Sequence, residues 1–400
     1  MKNKILIIPF FWATVLVSSC SHESKMAEFL VQKELDYCVG KAESTAKSLD
    51  DYSQFPRNIL DSETQWNTTA AEDWTSGFWP GIAWYAYEES GDSILLETAR
   101  KYTESVSQVL LAPQKDHDLG FIFYCSYGNG YRLTGDKTYK EVLLQAADSL
   151  AELFNPKVGT ILSWPYMVKA MGWPHNTIID NMMNLELLFW AAKNGGNKEL
   201  YEIADSHARH CMNTLVRPDS TTFHVAVFDT LDGHFIKGVT HQGYSDSSMW
   251  ARGQTWGIYG YTVAYRETGD EQFLNVAEKL ADKFLQRLPA DGIPFWDFDA
   301  PVTSTTPKDA SAATIAASAL LELSTLERED SRKQKYFNAA VDLLTRLSSA
   351  DYQSGDRNKA MLVHSTGHFP AGGEIDASII YADYYYIEAL SRLKKMRREP

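Results

Sequence analysis

Two aspartates stand out by the company they keep. Asp118 lies in His117-Asp118-Leu119-Gly120-Phe121, and Asp180 follows Ile178-Ile179 and precedes Asn181-Met182-Met183. A carboxyl group set among apolar and aromatic neighbours loses solvation, which raises its pKa toward the range useful for proton transfer. Two such groups close together push one pKa higher still. Giving a proton to a substrate and taking one back is the chemistry that such a pair can do. The competing reading is that Asp at the start of a helical run simply caps it. Asp309 and Asp376, each opening an Asp-Ala-Ser segment, read as caps; Asp118 and Asp180 stay open between capping and catalysis.

The other reactive side chains narrow the chemistry. The histidines are scattered, and His207 with His210, or His364 with His368, lack a convincing third partner, so no metal site is expected. No phosphate-cradling glycine loop, nucleophile elbow or zinc-protease helix is present, and no cofactor is implied. The chain has 11 tryptophans, many in loops or at the starts of apolar helices, where an aromatic face suits the C–H face of a sugar ring. A formal charge of −14 excludes a general nucleic-acid binder, which must neutralise phosphates. Of the four cysteines, Cys38, Cys125 and Cys211 are scattered and read as buried free thiols.

The elements that must position these groups are helices. Short turns such as Ser-Gly-Asp-Ser at 90–93, Thr-Gly-Asp-Lys at 134–137 and Thr-Gly-Asp-Glu at 268–271 end one periodic run and start the next, so the flanking helices form hairpins. Periodicity predicts about twelve helices, near 27–49, 77–89, 92–111, 118–133, 136–154, 179–194, 197–216, 252–268, 270–288, 309–326, 331–350 and 376–394. Twelve helices pairing in sequence close as an all-α (α/α)6 toroid of six hairpins, with a small β-hairpin around 222–228 and Asp232-Gly233. The apolar first helices form the inner ring. Their N-termini share one end, which gathers Trp74, His117, Asp118, Asp180, Arg252, Asp309 and Asp376 beneath the longest loops. That end is the expected active site.

Residues 1–19 read as a bacterial lipoprotein leader: Lys2 and Lys4, an apolar run from Ile5 to Val17, and small residues before Cys20, the expected lipidation site. Residues 20–400 then form a single catalytic domain in the cell envelope, periplasmic or on the outer membrane, touching the membrane only through that anchor.

In WTSGFWPGIAWYAYE (74–88), HDLGF (117–121), IIDNMMNLELLFWA (178–191), THQGYSDSSMWARGQTWGIYG (240–260), DASAATIAASALLEL (309–323) and GGEIDASIIYADYYYIEAL (372–390) the chain resembles the unsaturated glucuronyl hydrolases of glycoside hydrolase family 88. The resemblance runs from about Trp66 to Leu390. It implies the same toroid and a cofactor-free reaction on the 4,5-unsaturated uronic acid that a polysaccharide lyase leaves at the non-reducing end of a glycosaminoglycan oligosaccharide. Protonation of C4 of the vinyl ether makes an oxocarbenium-like centre at C5, water adds there, and the hydrated ring opens and releases the next sugar. By resemblance Asp180 is the general acid and then the base, and Asp118 is the second essential carboxylate, holding substrate hydroxyls and helping to keep Asp180 protonated. Arg252 supplies charge and a fork for polar substrate groups, His117, His224 and Gln242 complete the polar ring, and Trp74, Trp164 and Trp256 line the sugar sites. Members favouring 6-sulfated chondroitin disaccharides carry a Ser-x-x-Ser-x-Lys element in a C-terminal loop. Here that stretch is HSTGHFPAGGEID (364–376), without lysine, which leaves heparin-derived or unsulfated disaccharides open. The rival readings are an unsaturated rhamnogalacturonyl hydrolase of family 105 and a glycan-binding lipoprotein without catalysis.

Overall fold

The structure, a computed structural model, describes residues 16–113 and 115–398, with side chains from 31 to 397. The leader up to residue 15 and the Cys20 side chain lie outside the described residues. The helices are α1 (Leu16–Ala46), α2 (Phe78–Ser90), α3 (Ser93–Ser105), α4 (Asn129–Thr134), α5 (Lys137–Ala151), α6 (Pro165–Ala170), α7 (Leu185–Lys193), α8 (Glu199–Thr214), α9 (Ala251–Thr268), α10 (Glu271–Arg287), α11 (Ala310–Leu326), α12 (Asp330–Leu347) and α13 (Ile380–Arg398). A π-helical stretch, Gly120–Gly128, runs directly into α4.

Hairpin turns form where Gly meets Asp. Gly91 takes φ +69° and caps α2 through its N–H to Tyr87, and the Asp92 carboxylate accepts from the N–H groups of Ile94 and Leu95 to start α3. The turns at Gly135-Asp136 and Gly269-Asp270 repeat this arrangement. Each costs little because Gly carries no Cβ penalty in the left-handed region.

Around the ring, α2 packs on the π-helical segment, that segment on α7, and then α9, α11 and α13 follow in order until α13 meets α2 again. Behind them stand α3, α5, α8, α10 and α12, with α1 closing the sixth pair against α13 and α2. The closed (α/α)6 toroid is therefore the fold. Inner helices are buried almost all round, as in α11 where every residue from Ala310 to Ser324 is buried, while outer helices such as α10 bury one stripe.

Small sheets roof the rim where the inner helices begin. The strands are β1 (Phe55–Ile59), β2 (Asn67–Thr69), β3 (Phe154–Asn155), β4 (Thr160–Ile161), β5 (His175–Ile178), β6 (Val225–Phe228), β7 (Phe235–Val239) and β8 (Ser378–Ile379). The expected hairpin is β6–β7, turning at Gly233. Sequence periodicity missed β5, which pairs with β6 and makes the hairpin an antiparallel three-stranded sheet. The expected helix at 376–394 also changes: the chain first forms β8, and α13 starts only at Ile380. Asp376 is therefore no cap; it is half exposed, has φ +52° and bonds His364 Nδ1 at 2.6 Å. Asp309 does cap α11, through the Ser311 N–H. Cys38, Cys125 and Cys211 are buried free thiols. No helix among the described residues is long and apolar enough to cross a membrane.

Candidate active site

Asp180 reaches the rim by way of strand β5. That strand ends at Ile178, the chain tightens into a 3-10 turn over Ile179–Met183, and α7 begins at Leu185. The Ile179 N–H bonds the His224 carbonyl at 3.0 Å, so the residue before β6 is fixed beside Asp180. His224 is buried, and its Nδ1 accepts from the backbone N–H groups of His241 (3.2 Å) and Gln242 (3.1 Å). An Nδ1 that accepts twice leaves the proton on Nε2. That Nε2 lies 3.7 Å from Asp180 Oδ2, and neither atom has a hydrogen-bond partner. Burial and the positive charge of Arg252 keep the imidazole neutral.

Burial pushes the Asp180 carboxyl up to about 7, while Arg252 and the Trp256 indole N–H pull the other way. Trp256 is fully buried against Phe121 and Tyr385, and its Nε1 has no hydrogen-bond partner. A protonated acid thus sits beside two N–H donors poised for its ionised form.

Asp118 mirrors this arrangement. It enters just before the π-helical stretch, and its Oδ1 lies 3.5 Å from His117 Nε2. His117 is buried and held neutral, its pKa lowered to about 3. Burial first, then the like charges of Asp116, Asp180 and Asp73, push Asp118 well above the usual carboxylate range. Burial is the largest cause at both carboxyls, and the repulsion between Asp118 and Asp180, which acts on the pair, adds to it.

Trp164 bridges the halves: its ring lies edge-on to His117, His224 and His241. Trp74 packs against Phe78, Phe121 and Tyr381 at the same rim. Arg252 needs a correction. It is 1% exposed and four of its N–H groups are engaged: Nη1 with Asp309 Oδ2 (3.0 Å) and the Thr366 carbonyl (2.7 Å), Nη2 with the Gly367 carbonyl (2.6 Å) and Gln242 Oε1 (3.4 Å). The guanidinium supplies charge beside Asp180, but its fork clamps the loop at 366–367 to α9 and α11 and is not free for substrate. Gln242, through the same contact, faces Arg252.

The structure brings Trp74, His117, Asp118, Trp164, Asp180, His224, Gln242, Arg252 and Trp256 to one rim, while Asp376 pairs with His364. Sequence reasoning missed Asn184 and the His241–His368 pair, whose Nε2 atoms lie 3.3 Å apart across two loops. The pair carries no local signal, since its members are 127 residues apart. Among the described residues no group of three or more His, Cys, Asp or Glu could hold a metal ion.

The model for Glycosyl Hydrolase Family 88 matches residues 42–268. The chain is 37% identical to an unsaturated glucuronyl hydrolase of Formosa agariphila over 99% of both chains. It is 36% identical to an unsaturated chondroitin disaccharide hydrolase of Streptococcus pneumoniae, over 81% of this chain and 82% of that one. Among solved structures, an unsaturated glucuronyl hydrolase specific for heparin superposes with a TM-score of 0.86 at 41% identity, covering 92% of this chain and 98% of the other. The unsaturated glucuronyl hydrolase from a Bacillus species superposes at 0.85 and 34% identity, covering 91% and 96%.

Proposed function

The chain belongs to glycosyl hydrolase family 88, and from that premise we propose that its rim hydrolyses unsaturated uronides with Asp180 as the proton donor. The activity is that of an unsaturated uronyl hydrolase acting on lyase-generated glycosaminoglycan oligosaccharides. One observation carries the assignment of Asp180: a buried carboxyl raised to about 7, whose Oδ2 has no partner yet faces the N–H of a neutral His224.

The steps are those that the family resemblance implies, set on that geometry. Asp180, neutral, gives its proton to C4 of the vinyl ether, and positive charge develops at C5 and the ring oxygen. As Asp180 becomes a carboxylate, His224 Nε2–H and Trp256 Nε1–H gain an anion to bond. These contacts strengthen only as the reaction proceeds, and that difference is what lowers a barrier. The carboxylate then takes a proton from the water that adds to C5. Asp118, beside His117 Nε2, binds substrate hydroxyls. Trp74 and Trp164 offer aromatic faces to the sugars.

The rim also bears on which uronide is taken. Arg57 bonds Asp73 and Glu374, and Arg252 is clamped as described, so neither cation is free to meet a sulfate. With no lysine in 364–376 and neither cation free, unsulfated disaccharides are preferred over 6-sulfated chondroitin units, and the 41% identity to a hydrolase specific for heparin is what speaks for heparin-derived ones.

The test is a screen of the purified protein against lyase-derived disaccharides, reading loss of the ultraviolet absorbance of the conjugated uronide across pH. Absorbance should fall, and kcat/KM should be flat below about pH 7 and drop tenfold per unit above it, because an acid with a raised pKa loses its proton there. Unchanged absorbance on every glycosaminoglycan disaccharide, with turnover only on pectin-derived ones, moves the substrate to the rhamnogalacturonides.

A further inference from the structure

One buried amide joins the segment that carries Asp118 to the segment that carries Asp180. Asn184 follows the 3-10 turn of Asp180, its N–H closing that turn on the Asn181 carbonyl at 3.0 Å, and it is fully buried. Its Oδ1 accepts from the Phe121 N–H at 2.8 Å. A backbone N–H can only donate, so this bond settles which end of the amide is oxygen. Its Nδ2 then points at His117 Nδ1, 3.2 Å away, and must be the donor. The fit is close: Gly120 abuts Asn184 so tightly that a Cβ at 120 would collide with it.

The consequence falls on His117. A neutral imidazole whose Nδ1 accepts carries its proton on Nε2, 3.5 Å from Asp118 Oδ1. Were the proton on Nδ1, a lone pair would face that oxygen instead. Asp116, Asp73, Asp180 and Tyr166 face the pair, Asn181 is hydrogen-bonded to the imidazole with Trp164 edge-on to it, and the Asn184 amide also reaches Asp118, drawing its carboxyl down against the push of burial.

We infer that Asn184 is a positioning residue for the reaction proposed above, holding the His117 proton on Nε2 toward Asp118 and fixing the π-helical segment of Asp118 against the turn of Asp180. The inference rests on that reading of the rim. Asn184→Asp is the informative variant, because it keeps an acceptor for Phe121 while replacing the donor to His117 with a second acceptor.

Nitrogen-15 NMR of histidine-labelled protein, with His117 assigned by its loss in His117→Gln, should show wild-type His117 protonated on Nε2 and bare on Nδ1. In Asn184→Asp the Nδ1 should become protonated, and kcat should fall about 100-fold, the scale of a misplaced catalytic group, with KM changed by less than roughly threefold. Wild-type His117 protonated on Nδ1, or an Asn184→Asp protein with wild-type tautomer and kcat, overturns the inference. If Asn184→Asp does not fold, the wild-type tautomer decides alone. Should wild-type protein turn over no unsaturated uronide while the tautomer switches as expected, the proposed reaction fails and the positioning stands.

Discussion

The two ends of the barrel bury carboxylates in opposite ways. At the rim, Asp118 and Asp180 face neutral imidazoles and are driven toward their protonated forms. At the far end, where the inner helices finish, Glu322 on α11 lies between Arg266 of α9 and Arg392 of α13 and is held down at about 2. Glu186 pairs with Arg266, which opposes the upward push of its burial without overcoming it, and Glu388 accepts from Tyr259, Tyr85 and Ser318 Oγ (2.6 Å). Arg266 also sits in the last turn of α9, where the backbone dipole favours a cation. A cavity of about 360 Å³ opens there, lined among others by Tyr124, Trp190, Tyr385 and Glu388, yet its acids are matched by cations and hydroxyls. Burial alone therefore does not make a proton donor. A buried carboxyl left with an unpartnered oxygen does, and one whose oxygens are taken up by cations, hydroxyls or backbone N–H groups becomes a girder.

The sharpest test of this contrast removes one acid at the rim and one cation at the far end. Asp180→Asn should lower kcat by about 10³-fold or more, within the range for a lost general acid, with little change in disaccharide affinity. Its effect on stability should run the other way. A carboxyl raised from 3.8 to about 7 in the folded state favours folding below the lower value and loses that contribution as pH rises through the upper one. Above pH 7 the wild-type protein therefore bears a cost on the order of a few kcal/mol that the amide lacks, so the variant should melt higher at pH 8 and the gap should close near pH 4. Arg392→Ala should do the reverse: it leaves Glu322 and Glu388 short of a cation, costing about 3 kcal/mol, while activity per folded molecule stays near wild type. Thermal melts with matched kinetics check both; a melting loss in Asp180→Asn at pH 8 breaks the comparison.

How much of this was legible depended on whether the signal was local. The hairpins were, because Gly91-Asp92 and its repeats carry both the cap and the stop within two residues. The rim acids were, because Asp118 and Asp180 interrupt apolar runs at helix starts. Strand β5 was not: His175–Ile178 has four residues and becomes a strand only by pairing with β6, some fifty positions later. The same holds for Arg252, whose partners at Asp309, Thr366 and Gly367 lie 57 to 115 residues away and decide that it clamps a loop. Asn184 was overlooked inside an apolar helix start, although a buried amide there always needs partners. Glu322 and Glu388, charged residues on otherwise apolar inner helices, held a similar unread signal.

Another buried acid separates pKa from function. Asp383, on α13, is also raised to about 7 by burial, as far as Asp180. Its surroundings differ: Oδ2 accepts from the Met361 N–H at 2.7 Å and Oδ1 from the Leu362 N–H at 3.0 Å, so both oxygens are satisfied by backbone. It pins the 361–362 segment to the barrel, where Tyr37 donates to the Met361 carbonyl at 2.8 Å. Asp383→Asn must turn an NH2 toward one of those N–H groups, leaving a buried donor unsatisfied, at about 1–3 kcal/mol. We expect a lower melting temperature with kcat within roughly twofold of wild type, since the group touches no substrate. A kcat loss approaching that of Asp180→Asn would mean that a raised pKa suffices to mark a catalytic acid, and that the unpartnered Oδ2 of Asp180 is not what distinguishes it.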